Sequence, residues 1–196
     1  TIHVWGFSLD GSPSFVEQCR SWLSEEERRR AGRLVRQEDQ FRYVLAHGSI
    51  RAVLARYTGL DPLSVTFQMG ATGKPTLAET NNGRHRVHFN LSHSHGRMLI
   101  AVARDQDVGA DLEQIRDKVD VVKLAERFYA PLERDRVAGV TGLEQAKRFY
   151  RYWVAKEAVL KGQAVGLRSL QQCEILDSSD APRAEVHLLE GATMQP

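Results

Sequence analysis

One order of elements occurs twice in this chain, and that recurrence limits the folds open to it more than any single motif does. Ser24 followed by Glu25, Glu26 and Glu27 has the capping-box spacing that opens a helix. A second helical stretch at residues 41–57 stops at Gly59-Leu60, with Asp61-Pro62 as the turn and an alternating strand expected at 63–67. Half a chain later the same order returns. Leu132, Glu133, Arg134 and Asp135 echo the acidic helix start, residues 143–161 form a long helix, and Gly166-Leu167 precedes a strand at 173–175. Such self-similarity implies an α+β fold of two similar lobes related by a pseudo-twofold. Each lobe is a short, mostly antiparallel sheet packed with helices, with an active site expected in the cleft between them. The lobes divide, on this reading, into residues 1–103 and 104–196.

The composition supports a packed core and excludes several functions. The chain has 196 residues, 42% of them hydrophobic and 27% charged, which is an ordinary globular balance. The formal net charge is only +2, too small for a general nucleic-acid or membrane-surface binder, so any charge function is local. Cys19 and Cys173 show no metal spacing and suit a reducing compartment. No apolar run approaches the roughly 18 residues of a membrane span, and residues 1–10 are unlike a signal peptide, so the chain reads as cytoplasmic, with no membrane or nucleic-acid partner.

Three constellations carry chemistry. In Val108-Gly109-Ala110-Asp111-Leu112-Glu113, period-two alternation would put Asp111 and Glu113 on one strand face, where a hard cation would relieve their repulsion; a solvated strand face is the plainer alternative. On the long helix, Phe149, Tyr150, Tyr152, Trp153 and Leu160 mark a buried side. Glu157 falls within it, so its carboxylate would be partly desolvated and would need a cation or hydrogen bond. Lys161, one turn on, suits an ordinary i,i+4 pair with Glu157 equally well. The third, Phe89-Asn90-Leu91-Ser92-His93-Ser94-His95-Gly96, reads as a polar loop after a strand, able to hold phosphate oxygens or simply to turn the chain.

Taken in order, these segments resemble the 4′-phosphopantetheinyl transferase family, in its larger, surfactin-type, pseudodimeric branch. The family pattern reads here as Gly73-Lys74-Pro75, Phe89 to Ser94, Gly109 to Glu113, Trp153 to Lys161 and, imperfectly, Ala164-Val165-Gly166-Leu167. The resemblance implies transfer of the 4′-phosphopantetheine arm of coenzyme A to a serine of an apo acyl, peptidyl or polyketide carrier protein. Adenosine 3′,5′-bisphosphate leaves. It implies Mg2+, with Mn2+ as the alternative, held by Asp111, Glu113 and Glu157. Glu157 or a metal-bound water is the base, Lys161 contacts the pyrophosphate, and Glu133 is a second acidic candidate. It also implies coenzyme A contacts from Arg30, Arg42, Lys74, Pro75, Ser92, His93 and Lys156, with the nucleotide end on the first lobe and the metal carboxylates on the second. A monomer follows from the pseudodimeric form.

Some residues depart from the pattern. Glu27 stands where such proteins carry a lysine toward the 3′-phosphate, leaving Arg28 or Arg30 to compensate, and the second lobe ends early relative to the family. Lys118, Val121, Val122, Lys123 and Leu124 suggest an apolar patch with a basic rim for an acidic carrier, or equally the side of a core helix. Two rival readings stay open: a metal-dependent phosphodiesterase or pyrophosphatase using the same carboxylates, and a non-catalytic coenzyme A binding module.

Overall fold

A computed structural model describes residues 1–78, 86–116, 118–164, 167–176 and 185–188. The sequence features at Asn81 to Gly83, Val165 and Gly166 lie outside these. The chain forms two compact units that divide between Gln106 and Asp107, a few residues beyond the boundary drawn from the sequence.

The first unit opens with strand β1 (Ile2–Ser8), followed by helices α1 (Pro13–Trp22), α2 (Glu25–Gly32) and α3 (Gln37–Thr58). A 3-10 turn (Pro62–Ser64) leads to the hairpin of β2 (Phe67–Met69) and β3 (Pro75–Leu77), and then to β4 (Val87–Ser94) and β5 (Arg97–Arg104). The larger sheet is antiparallel in the order β1-β5-β4, so the first strand pairs with the last. Helix α2 starts as its sequence requires. The Ser24 hydroxyl accepts from Glu27 N–H, and the Glu27 carboxylate returns the bond to Ser24 N–H. Gly59 ends α3 in the left-handed region at φ 73°, its N–H donating to the Ala55 carbonyl.

Helix α1 carries no signal that the sequence reading used, although Ser12 caps it and Pro13 occupies its first turn. Its packing depends on a glycine. A Cβ on Gly48 of α3 would stand 2.4 Å from Cys19 Cβ, so the two helices meet at backbone distance. Leu23, Val44, Leu45, Leu54 and Ile100 then close the core of this unit with essentially no exposure.

Two expectations in this unit are corrected. Residues 63–66 are not a strand, and strand β2 begins only at Phe67. Asp61 caps a 3-10 turn by accepting from Leu63 N–H, and Arg51 takes the carbonyls of Pro62, Leu63 and Val65, so those acceptors are spent on a guanidinium instead of a ladder. The segment from Phe89 to Ser94 is not a loop but strand β4 itself. The turn is only His95-Gly96, both at positive φ, the conformation that a tight hairpin favours.

The second unit repeats the element order of the first: a short helix, a long helix, a 3-10 turn and a strand. These are α5 (Pro131–Ala138), α6 (Gly142–Gly162), the turn Leu167–Gln172, and β6 (Cys173–Leu176), which pairs antiparallel with β7 (Glu185–Leu188). Helix α4 (Val121–Phe128) precedes them. Its apolar side is committed to the core, with Val121 and Ala125 buried and Leu124 packed against the same cluster as Phe149 and Tyr152. That leaves Lys118, Val122 and Lys123 outside the core, a smaller surface than the patch expected from the sequence.

Glycine contacts make a direct test of this packing. Gly48→Ala should cost about 1–3 kcal/mol by overpacking against Cys19. Gly32→Ala, where a Cβ meets nothing within 4 Å, should gain a few tenths of a kcal/mol or more by reducing unfolded-state freedom. Thermal unfolding of the two variants should therefore shift in opposite directions.

Candidate active site

The segment bearing Asp111 and Glu113 forms no strand among the described residues and meets α6 at Gly109. Gly109 allows the close approach. A Cβ there would stand 1.8 Å from the Ala158 carbonyl oxygen and 2.5 Å from the Gly162 nitrogen, so the chain lies directly on the backbone of the last turns of α6. Val108 and Ala110 are buried on either side of this contact. With the segment fixed on that helix, Asp111 is placed beside the side chains leaving the same turns. Lys161 Nζ donates to Asp111 Oδ1 at 2.5 Å, with the Asp111 side chain 4% exposed and that of Lys161 34% exposed. Glu157, one turn before Lys161, is buried at 7%.

The electrostatics tie the acids together. Burial pushes the Glu157 carboxyl above its ordinary value, the Asp111 charge pushes it the same way, Lys161 opposes both, and Glu113 adds to the rise. Asp111 and Glu113 both act on Glu157, and carboxylate oxygens are the hard donors that a divalent cation such as Mg2+ takes. Among the described residues no three acidic, His or Cys side chains are gathered as a ready-made metal cage. The donor chemistry fits the ion, and the cluster in this structure is closed on Lys161.

Lys156 and Glu133 have another setting. Lys156 is fully buried, and its ammonium spends three bonds inside the unit: on Glu133 Oε2 at 2.5 Å, on the Leu170 carbonyl at 2.8 Å and on the Cys173 carbonyl at 2.5 Å. Glu133 in turn accepts from the N–H groups of Ala130 and Ile175. Together they join α5, α6, the 3-10 turn and β6. Lys156 and Glu157 are consecutive on α6, about 100° apart around the helix, so Lys156 meets Glu133 while Glu157 lies near Asp111.

In the first unit a cavity of about 830 Å³ is walled by α2, α3, β4 and the β2-β3 hairpin. Arg30, Arg42, Pro75, His93 and His95 line it, together with the stacked rings of Tyr43 and His47, whose centroids are 3.9 Å apart. Arg42 passes over the hairpin turn at Gly96 and pairs with Glu38 at 2.6 Å. Lys74 closes the turn before β3, its carbonyl accepting from Gly70 N–H. Ser92 and His93 are neighbours on a strand and so point to opposite faces of the sheet; His93 reaches the cavity, whereas Ser92 is buried on the other side.

The sequence reading missed Arg51. It is 4% exposed, pairs with Glu27 at 2.8 Å and pins the 62–65 turn, while His47 Nδ1 lies 3.0 Å from the other Glu27 oxygen. Glu27 is therefore a hub of the cavity wall, which accounts for an acid at this position. The only available signal was a basic residue in the middle of an apolar helix.

With this geometry in view, the likeness to known proteins falls into place. Residues 11–106 match the model of the N-terminal region of 4′-phosphopantetheinyl transferase, and residues 107–194 match the 4′-phosphopantetheinyl transferase superfamily. The chain is 34% identical over 174 residues to the 4′-phosphopantetheinyl transferase HetI of Nostoc sp. (strain PCC 7120), covering 89% of this chain and 73% of that protein. It is 31% identical over 168 residues to the 4′-phosphopantetheinyl transferase Sfp of Bacillus subtilis (strain 168), covering 85% and 72%. A phosphopantetheinyl transferase of Thraustochytrium sp. is 27% identical over 181 residues, covering 85% and 62%. The chain belongs to the 4′-phosphopantetheinyl transferase superfamily, a family of transferase enzymes.

Two stability measurements follow from the site. Burial works to raise the Glu27 pKa, but the His47 and Ser24 hydrogen bonds and the Arg51 charge outweigh it and hold the carboxyl near 2, against an ordinary 4.5. A depressed folded pKa gives stability that is complete above pH 4.5 and is lost as pH falls toward 2, about 3 kcal/mol in all. Glu27→Gln should lower stability at neutral pH and flatten the acid limb of the unfolding profile. Lys156→Met, which strands a buried Glu133 charge, should cost about 3–5 kcal/mol in a denaturant titration.

Proposed function

We propose that this protein transfers the 4′-phosphopantetheine arm of coenzyme A to a serine hydroxyl of an apo carrier protein, leaving adenosine 3′,5′-bisphosphate. The observation that carries the reading is the junction of Asp111, Glu157 and Lys161, built where the family motifs fall in this sequence. The serine oxygen bonds to the phosphorus on the pantetheine side of the pyrophosphate, and the bond from that phosphorus to the bridging oxygen breaks. Glu157, its pKa raised by burial and by neighbouring acids, is suited to take the serine proton, since a stronger carboxylate base accepts it more readily. Lys161 offers an ammonium to the phosphate oxygens on which charge accumulates.

Asp111, Glu113 and Glu157 would hold Mg2+ or Mn2+. Such an ion, when bound, supplies Lewis-acid stabilisation of the pyrophosphate. In the first unit, Arg30, Arg42 and His93 are the cationic and hydrogen-bonding groups for the nucleotide phosphates, and the Tyr43-His47 pair offers ring surface within the same cavity. Glu133 and Lys156 hold the second unit together rather than touch substrate. We place the protein in the cytoplasm, acting as a monomer.

Intact-protein mass spectrometry of apo acyl and apo peptidyl carrier proteins, each incubated with this protein, coenzyme A and Mg2+, tests the reaction. The expected result is a gain of one phosphopantetheine arm that EDTA abolishes. Release of free phosphopantetheine without carrier modification would point instead to a phosphodiesterase. Asp111→Ala and Glu157→Ala should each lose about 10²–10³ in turnover, the scale of removing one electrostatic stabiliser. His93→Ala should raise the KM for coenzyme A more than it lowers kcat.

A further inference from the structure

The cavity of the first unit is walled by pieces of chain far apart in sequence, and one ion pair joins them. The Arg51 guanidinium on α3 is buried, and each of its three nitrogens has a protein partner. Nε and Nη2 each lie 2.8 Å from Glu27 Oε2 on α2. Nη1 donates to the carbonyls of Pro62, Leu63 and Val65 at 3.1, 3.3 and 2.7 Å, and so holds the turn that leads into β2. The guanidinium also stands 5.3 Å over the ring of Phe67, the first residue of β2, which packs edge-on to Phe89 of β4. On the other side of the pair, Glu27 Oε1 meets His47 Nδ1, and His47 is stacked on Tyr43.

Glu27, Arg51, Phe67 and Phe89 line the same cavity as Arg30, Pro75 and His93. Arg30 is three residues beyond Glu27, on the same side of α2. Pro75 pairs with Met69 across the hairpin that Phe67 begins, and His93 shares strand β4 with Phe89. Any shift of the Glu27-Arg51 pair therefore moves α2 relative to the hairpin and β4. A lysine would keep the charge but offers one nitrogen where the planar guanidinium spreads its bonds over three, so the fixed geometry would be lost.

We propose that Arg51 is a positioning residue for coenzyme A. By gripping Glu27 and the 62–65 turn together, it sets the spacing of Arg30, Pro75 and His93, and with it the affinity of the cavity for the bisphosphate end of the nucleotide. This rests on the transferase reading and on the nucleotide end lying in the first unit. Its nitrogens are committed to protein, so it acts through its partners, and its effect falls on nucleotide binding rather than on turnover.

Binding and kinetics on the full chain test it. In isothermal titration calorimetry with adenosine 3′,5′-bisphosphate, Arg51→Lys should raise the Kd by about 10-fold or more, the lower end of what losing a supporting partner behind a ligand costs at metal sites. The KM for coenzyme A should rise by a similar factor while kcat stays within about 2-fold. Glu27→Gln, which keeps the side-chain shape and removes the charge that Arg51 grips, should shift both constants the same way. The effect of the double variant should fall short of the product of the two, since both break one pair. Gly48→Ala, on the same helix but packed against Cys19, is the control for lost stability and should leave Kd and KM unchanged. Should Arg51→Lys not fold, Glu27→Gln against Gly48→Ala makes the same comparison. Wild-type Kd and KM in the Arg51 or Glu27 variant, a fall in kcat with Kd unchanged, or an equal loss of affinity in Gly48→Ala would overturn the positioning role. A wild type that modifies carrier but does not bind adenosine 3′,5′-bisphosphate would remove the nucleotide from this cavity and the proposal with it. One that binds it but modifies no carrier would count against the transferase reading alone.

Discussion

The approach of Gly109 to the backbone of α6 is the contact on which the acid cluster depends. No residue with a side chain could lie that close to the Ala158 carbonyl and the Gly162 nitrogen without moving the helix or the chain across it. With the gap closed, Asp111 lies beside Lys161 and close enough to Glu157 to act on its charge. Rigid placement matters because the effect of one charge on another falls off steeply when either is misplaced.

Behind that surface, the Glu133-Lys156 pair sets what α6 can do. The ammonium fills all three of its donor positions with protein acceptors, and the carboxylate collects two backbone N–H groups besides. A buried pair so fully satisfied is not a large source of net stability, but either partner alone would be costly, so the arrangement holds α5, α6 and β6 in one register. One helix consequently presents two functions a single residue apart: Lys156 faces inward to the structural pair, and Glu157 faces the acids. In the first unit, Glu27 plays the comparable part, binding Arg51 and His47 so that the cavity wall and the 62–65 turn move together.

Much of this was legible in the chain itself. The capping box at Ser24, the left-handed stop at Gly59, the long helix ending near Lys161 and the recurrence of helix, helix and strand are all local patterns, and local hydrogen bonding and periodicity fix them. The motifs Gly109 to Glu113 and Trp153 to Lys161 likewise pointed to the residues of the acid cluster. The sequence did not show that alternation around Asp111 would remain without a strand, that the polar run at Ser92 and His93 would be a strand with its two residues on opposite faces, or that Arg51 would be buried.

Those outcomes belong to tertiary structure, for one physical reason. Whether an extended segment becomes a strand depends on a neighbour with free donors and acceptors, and whether a charge is catalytic or structural depends on what surrounds it once the chain is folded. The chain alone determined which residues carry charge and where helices start and stop. Packing decided that Lys156 would be sealed inside, that Lys161 would reach Asp111, and that Gly109 would be the point where segment and helix touch, because burial and distance between residues far apart in sequence exist only in the folded protein.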